Sequence, residues 1–383
     1  MEHPRKGCPM RERNSTCRWI TWRWPVFTLA ATLLMTSPLV AGDDEDGAAG
    51  AAAASDEAST PRGPTGAENV PLADEMSPEL HEAIDRGLRY LAAQQNADGS
   101  FGRGRYGRNV GIASLAAIAF MADGHLPGRG EYGEQVQQAL EFVLNNASES
   151  GLLAAETSHG PMYGHGFATL FLAEIYGMNP SDRRVRDALV KAVELIVGTQ
   201  NDEGGWRYQP VPYEADVSVT ICQVMALRAA RNAGISVPAR TIDRAVEYVL
   251  ACQNPDGGFK YMLHTGASAW PRSAAGVATL FYAGIYEGDE IERGLEYIKR
   301  TAMPGASATQ AHYYYGHYYA GQAMYLAGGE YWEVWWPAIR DELLGRQSSS
   351  GGWMDHHAGG AYATSMSLIV LQIPKRYLPI FQK

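Results

Sequence analysis

A nine-residue helical pattern returns along most of this chain and sharply limits what it can fold into. It reads Ala-Ile-Asp-Arg-Gly-Leu-Arg-Tyr-Leu at 83–91, Thr-Ile-Asp-Arg-Ala-Val-Glu-Tyr-Val at 241–249 and Glu-Ile-Glu-Arg-Gly-Leu-Glu-Tyr-Ile at 290–298. Ile84, Leu88 and Leu91 stand at i, i+4 and i+7, which is one face of an α-helix. Val136-Leu140-Val143 and Leu189-Val193-Ile196 share the phase, and a less regular sixth copy lies near 339–344. Leu88, Leu140, Val193, Val246 and Leu295 are 52, 53, 53 and 49 residues apart. A period of that length marks a chain built from repeated supersecondary units.

Each of these helices ends in related punctuation. Gln95-Asn-Ala-Asp-Gly-Ser-Phe101, Gln200-Asn-Asp-Glu-Gly-Gly-Trp206, Gln253-Asn-Pro-Asp-Gly-Gly-Phe259 and Gln347-Ser-Ser-Ser-Gly-Gly-Trp353 are four forms of Gln-x3-Gly-x-aromatic. The glycine breaks the helix by permitting positive φ, the aromatic packs back, and the Gln side chain serves free backbone groups. The second and fifth copies, at 145–153 and 301–308, lack the motif. A more apolar, smaller-residue helix follows each turn, near 110–122, 166–176, 217–229, 274–286, 318–326 and 362–371. Six outer and six inner helices predict an all-α, α6/α6 toroid that closes on itself and so needs no capping repeats. An open central funnel is expected, lined by the N-terminal ends of the inner helices.

Arg86-Gly87-x2-Tyr90-x4-Gln95-x3-Gly99-x-Phe101 resembles the QW repeat of squalene-hopene cyclases and related class II terpenoid cyclases. Gln253-Asn-Pro-Asp-Gly-Gly-Phe259 also resembles the repeat of protein prenyltransferase β subunits. The resemblance covers about 77–374 and implies the toroid; activity is a separate question, because one fold hosts many functions. The cyclases it resembles protonate an alkene or epoxide with the middle Asp of Asp-x-Asp-Asp-Thr. The local match is Asp216-Val-Ser-Val-Thr220, which keeps the first Asp and the Thr but places Ser218 and Val219 at the other two. Asp216 reads as the N-cap of its helix, where the helix terminus favours the carboxylate and lowers the pKa. The prenyltransferases bind zinc through Asp-x-Cys on one inner helix and a later His. Here the corresponding segment is Trp270-Pro-Arg-Ser, and His317 alone cannot make a zinc site. Complement-type thioester domains share the toroid, but their Gly-Cys-Gly-Glu-Gln loop is absent.

Composition narrows the partners. Asp plus Glu total 42 against 32 Lys plus Arg, a net charge of −10, which argues against a nucleic-acid groove. Residues 1–24 are basic, an uncharged apolar run fills 24–41, and four acidic residues follow. That order predicts an export signal over 1–41, with a membrane anchor at 24–41 as the alternative. Residues 42–76, rich in Ala, Gly and acidic groups, read as a disordered linker, and 77–383 as the toroid. The localisation expected is periplasmic or extracellular, with membrane association through the N-terminal segment. Of four cysteines, Cys8 and Cys17 leave with the signal, and the helical settings of Cys222 and Cys252 suggest buried thiols.

The chemistry-bearing residues fall at the expected funnel mouth. Asp216, His165 and His317 are the candidate catalytic groups, since a His beside a carboxylate can act as a base near neutral pH. Arg108, Tyr163, Ser218, Trp270, Arg272, Tyr315 and Tyr362 are the candidate ligand contacts, with Asn109, His159, Ser273, His356 and His357 nearby. No cofactor or metal is implied. The favoured reading is a hydrophobic, isoprenoid-like small molecule or a peptide held in the funnel without either family's chemistry. Whether the chain is an enzyme stays open, with a divergent cyclase-like isomerase or lyase using Asp216 as the alternative. A weaker one is an α6/α6 polysaccharide hydrolase or lyase, which needs two opposed carboxylates drawn from Asp216, Glu214 and Asp355.

Overall fold

The computed structural model describes residues 75–155, 160–264, 266–305 and 311–382. The expected signal at 1–41, the linker up to 74 and His159 lie outside the described residues. Twelve α-helices run through the described chain: α1 (Pro78–Ala92), α2 (Val110–Met121), α3 (Gly133–Asn145), α4 (Met162–Met178), α5 (Arg183–Gly198), α6 (Val217–Asn232), α7 (Ala239–Ala251), α8 (Trp270–Ala283), α9 (Asp289–Ala302), α10 (Tyr313–Ala327), α11 (Gly329–Arg346) and α12 (Gly359–Gln372). Strand pairing among the described residues is confined to isolated bridges such as Gln95–Phe101 and Gln253–Phe259.

The odd-numbered helices are outer and most bury a single stripe. Ile84, Leu88 and Leu91 of α1 are at most 1% exposed, as the periodicity requires; each such side chain contributes roughly 1.5–3 kcal/mol on burial. The even-numbered helices are buried nearly all round, and every residue of α2 is buried. They pack in the cyclic order α2–α4–α6–α8–α10–α12, and α12 returns to α2. This is the α/α toroid.

The Gln-x3-Gly turns are the joints between successive outer helices. Gln200 Nε2 donates to Gly204 O in its own turn and to Thr241 O near the start of α7, both at 2.8 Å. Gln253 bridges Gly257 and Glu290 in the same way, and Gln95 bridges Gly99 and Gln135. The recurring Arg of the nine-residue pattern completes the bolt: Arg244 and Arg293 donate to the Oε1 atoms of Gln200 and Gln253. Ring closure repeats this joint across the length of the chain. Gln347 donates to Gly351 O and to Ala83 O of α1, and Arg86 donates back to Gln347 Oε1.

The second copy, which lacks the sequence motif, keeps the turn. Gly151 has φ +88°, Ala147 bridges Leu153, and Leu153 is fully buried where other copies have an aromatic. The backbone shape therefore survives without Gln or an aromatic ring. Four boundaries also move. Glu75 and Met76, expected outside the toroid, are already packed, Glu75 accepting from Trp332 Nε1 at 2.7 Å. Helices α4, α8 and α10 start four or five residues before their expected positions, so His165, Arg272, Ser273, Tyr315 and His317 lie inside the helices.

Among the described residues the open funnel is not found. Phe167 of α4 meets Tyr318 of α10, on the opposite side of the ring, with centroids 6.0 Å apart. Tyr315 donates to Ser218 O at 3.1 Å, and Tyr319 Oη lies 3.2 Å from Cys222 Sγ, both spanning from α10 to α6 past α8. Aromatic side chains thus fill the axis one to two turns below the N-terminal ends. Above them Tyr163, Ser218, Tyr315 and Tyr362 are half-buried and form a shallow floor. Among the described residues no helix is long and apolar enough to cross a membrane.

Candidate functional site

Asp216 anchors the site at this floor. It is the N-cap of α6, its Oδ1 accepts from Val219 N at 2.8 Å, and it is fully buried. Its Oδ2 is also buried and has no hydrogen-bond partner. Arg207 Nε stands 3.8 Å from Oδ2, while the guanidinium pairs with Glu214 and lies over the Tyr208 ring. The Tyr208 and Tyr261 hydroxyls bond to one another beside the carboxyl, and the Tyr208 ring lies 6.0 Å from that of Tyr163.

The electrostatics reverse the expectation for Asp216. Burial pushes its carboxyl up to about 6, while the Val219 amide, the Tyr261 hydroxyl and Arg207 hold it down by less. Loss of water around the carboxylate outweighs the helix terminus. A carboxyl raised in this way keeps its proton in mildly acidic water but gives it up reluctantly, which suits hydrogen bonding better than protonating an alkene. Tyr163, Tyr315 and Tyr362 are likewise pushed well above the ordinary phenol value by burial, so the tyrosines of the floor are neutral.

A model of the prenyltransferase alpha-alpha toroid domain matches residues 89–303, more than half of the chain. The chain belongs to the prenyltransferase alpha-alpha toroid family. The drimenyl diphosphate synthase of Streptomyces showdoensis is 29% identical over 185 residues, covering 48% of this chain and 33% of that protein. The chain thus spans about a third of the length of that curated relative. Among solved structures, the type II terpene cyclase MstE from Scytonema, in complex with geranylgeranyl dihydroxybenzoate, aligns with TM-score 0.54 at 15% identity over 79% of this chain and 98% of its own. An α-1,6-mannanase of Salegentibacter, in complex with α-1,6-mannotriose, aligns with TM-score 0.59 at 9% identity over 76% and 98%. At these identities the likeness to both structures is one of fold.

Measured against this toroid family, the expected site residues divide. Asp216, Tyr163, Ser218, Tyr315 and Tyr362 gather at the floor; the histidines do not. His165 Nδ1 accepts from Leu153 N at 3.2 Å and Nε2 donates to Ala192 O at 3.3 Å, so both ring nitrogens are taken. Burial lowers it to about 4, leaving it neutral. Its task is shared by Thr220, Ser273 and Thr364, which accept from the backbone N–H of Trp206, Phe259 and Trp353. His317 is packed between Trp270 and Tyr313, with centroids 4.9 and 4.5 Å away, and burial lowers it to about 3. The catalytic roles expected of both are therefore corrected to structural ones.

Trp270 wedges against Gly316 of α10, a contact that builds the α8–α10 joint. Arg272 donates to Phe259 O, and Arg108 pairs with Asp98 at 3.2 Å, so both tie loops down. Asp355 Oδ1 is occupied by the His357 and Ala358 amides, which weakens it as a second glycosidase carboxylate. The zinc of the prenyltransferase β subunits does not fit either. The α8 start offers no ligand, His317 is enclosed by rings, and no group of three His, Cys, Asp or Glu suited to a metal exists among the described residues. Sequence reasoning missed Arg207, Tyr208, Tyr261 and Cys222. A signal for two of them was present, since Trp206-Arg-Tyr208 and Phe259-Lys-Tyr261 repeat one spacing.

Two further buried carboxyls, Glu75 and Glu174, lie outside this site among the described residues. Glu174, on α4, is 2% exposed and pushed up to about 8 by burial. From pH 8 down to 6.5 the folded chain takes up a proton at Glu174 that the unfolded chain does not bind until near its ordinary value. Stability therefore rises by about 1 kcal/mol as pH falls across this window, the Glu174 gain being partly offset by proton uptake of the unfolded chain at His165 and His317. Below 6.5 the trend stops, because the unfolded chain protonates the two histidines that the fold holds neutral. Denaturant midpoints at pH 8.0 and 6.5 measure this difference, and Glu174→Gln should erase most of it. An unchanged slope in that variant refutes the assignment.

Proposed function

We propose that this chain is a terpene-cyclase-like binding domain that holds a neutral, isoprenoid-like molecule on the tyrosine floor, without cyclase acid chemistry. The observation that carries this reading is the half-buried aromatic floor of Tyr163, Tyr315 and Tyr362 beside the buried Oδ2 of Asp216, which Arg207 Nε approaches only to 3.8 Å. Flat rings suit a branched hydrocarbon chain, and a reluctant acid suits a hydroxyl. Ser218, at the position of the cyclase acid, cannot protonate an alkene. The isoprenoid class is supported by the drimenyl diphosphate synthase relative and by the geranylgeranyl compound in the MstE structure. Arg108, Arg207 and Arg272 are each engaged with protein groups, which disfavours a diphosphate headgroup.

Titration of the full chain with farnesol and farnesyl diphosphate, followed by tryptophan fluorescence, tests the reading. Farnesol should bind at least as tightly as the diphosphate, and Tyr163→Ser should weaken it about tenfold. Binding of the diphosphate alone would overturn the proposal. The second reading is a divergent cyclase with Asp216 as acid, since a carboxyl raised to about 6 still holds its proton in mildly acidic water. Asp216→Asn separates the two: affinity stays within about threefold for a binding domain, whereas a cyclase loses its turnover of polyprenyl substrates. Export by residues 1–41 belongs to the same proposal. A secreted chain whose first residue lies near Gly42 supports it, and retention of 24–41 indicates an anchor.

A further inference from the structure

The C-terminal end of the inner ring is covered by the chain's own last residues. After α12 the chain passes through a short 3-10 turn, Ile373–Lys375, and a second, Pro379–Phe381. Four ties hold this segment. Gln372 Nε2 donates to Ala119 O of α2 at 3.0 Å, Lys375 pairs with Asp123, Arg376 lies over the Tyr325 ring of α10, and the Ile380 amide is turned toward the Glu174 carboxyl of α4. Leu378, Ile380 and Phe381 are at most 3% exposed, while Tyr377 between the turns is 57% exposed.

What these side chains cover is not a plain apolar core. Glu174 presents Oε2, buried and without a hydrogen-bond partner. Tyr282 donates to Gln322, and a crevice beside Phe381 is lined by both of them with Tyr325, Leu326 and Ile373. A carboxyl with an idle oxygen is a costly thing to bury under a purely structural cap. The tail itself presents one N–H donor followed by two apolar side chains. That is the outline of a molecule with one small polar head and a hydrocarbon body.

We propose that residues 378–381 are a displaceable plug in a second ligand site, and that this site takes a neutral apolar alcohol whose hydroxyl bonds to Glu174 while its hydrocarbon replaces Ile380 and Phe381. An anionic head is disfavoured, because it would meet the Glu174 carboxyl, while Lys375 is already paired with Asp123. The site is separate from the tyrosine floor at the opposite end of the ring and does not depend on it.

The test compares farnesol binding to the full chain and to the chain ending at Tyr377. If the plug occupies the site more than nine-tenths of the time, removing it raises affinity at least about tenfold. Glu174→Leu in the shortened chain should cancel that gain, and a synthetic peptide of residues 378–383 should compete with farnesol. Tyr163→Ser, which acts on the floor, should leave the gain intact, so failure at one site is distinguishable from failure at the other. Equal affinity of the two chains, or a peptide that does not compete, makes the tail a fixed cap and overturns the proposal. Should the shortened chain fail to fold, Phe381→Ser in the full chain carries the test: a gain of about threefold or more supports displacement, and native circular dichroism with no gain refutes it.

Discussion

Gly351→Ala lowers the thermal midpoint of this protein by roughly 5–10 °C. Gly351 has φ +91°, and an added Cβ would fall 2.6 Å from the carbonyl oxygen of Arg86 in α1. The obstacle is backbone inside a helix, so no side chain can swing aside. Left-handed strain costs about 1–3 kcal/mol and the overpacked contact a similar amount. The same substitution at Gly345 supplies the control: it sits within α11 with nothing within 4 Å of its missing Cβ, so alanine there should be neutral or stabilising by up to about 1 kcal/mol. If the two variants melt together, the closing joint is not the tight contact described.

The second large effect is expected at Trp206. It is 1% exposed, its indole N–H donates to Ile196 O at 2.7 Å, and its backbone N–H donates to Thr220. Ile196 lies in the last turn of α5, where carbonyls lack helical partners. Trp206→Ala leaves a cavity and should cost about 3–5 kcal/mol in denaturant unfolding. Trp206→Phe keeps most of the ring, as Phe259 does in its own copy, and loses only the indole bond, about 1 kcal/mol. Equal losses for the two would show that the bond rather than the bulk carries the stability.

Much of the fold was legible because repetition turns weak local signals into strong ones. One helix with Ile84, Leu88 and Leu91 in phase could belong to many folds; five at the same period could not. The motif also named its own joints, since Gln347 and Arg86 lie at opposite ends of the chain yet meet as Gln200 and Arg244 do. The turn at 145–153 was not legible, because Gly151 preserves the backbone shape while every recognisable side chain has changed. At the site, spacing could place Asp216 at a helix start but could not weigh burial against the helix terminus, and burial prevailed. His165 and His317 were misread for a related reason. A histidine at a helix start looks chemical in sequence, and only the packed neighbours reveal both nitrogens of His165 at work as backbone clasps. The closed axis was illegible too, because a tyrosine-rich helix such as α10 lines a cavity or fills one with the same residues.

The joint between the last turn and the first outer helix also bears on how such a chain can change over time. An open array lengthens or shortens by one unit at a small cost in interface area. In a hoop, inserting or deleting a hairpin alters the angle at every remaining joint, and Gln347 would no longer reach Ala83. Sequence drift inside a unit is tolerated, as the turn around Gly151 demonstrates, whereas the number of units is locked by geometry. Variation in such a lineage is therefore channelled into the inner surfaces and the two ends of the hoop, where novelty leaves the circumference intact.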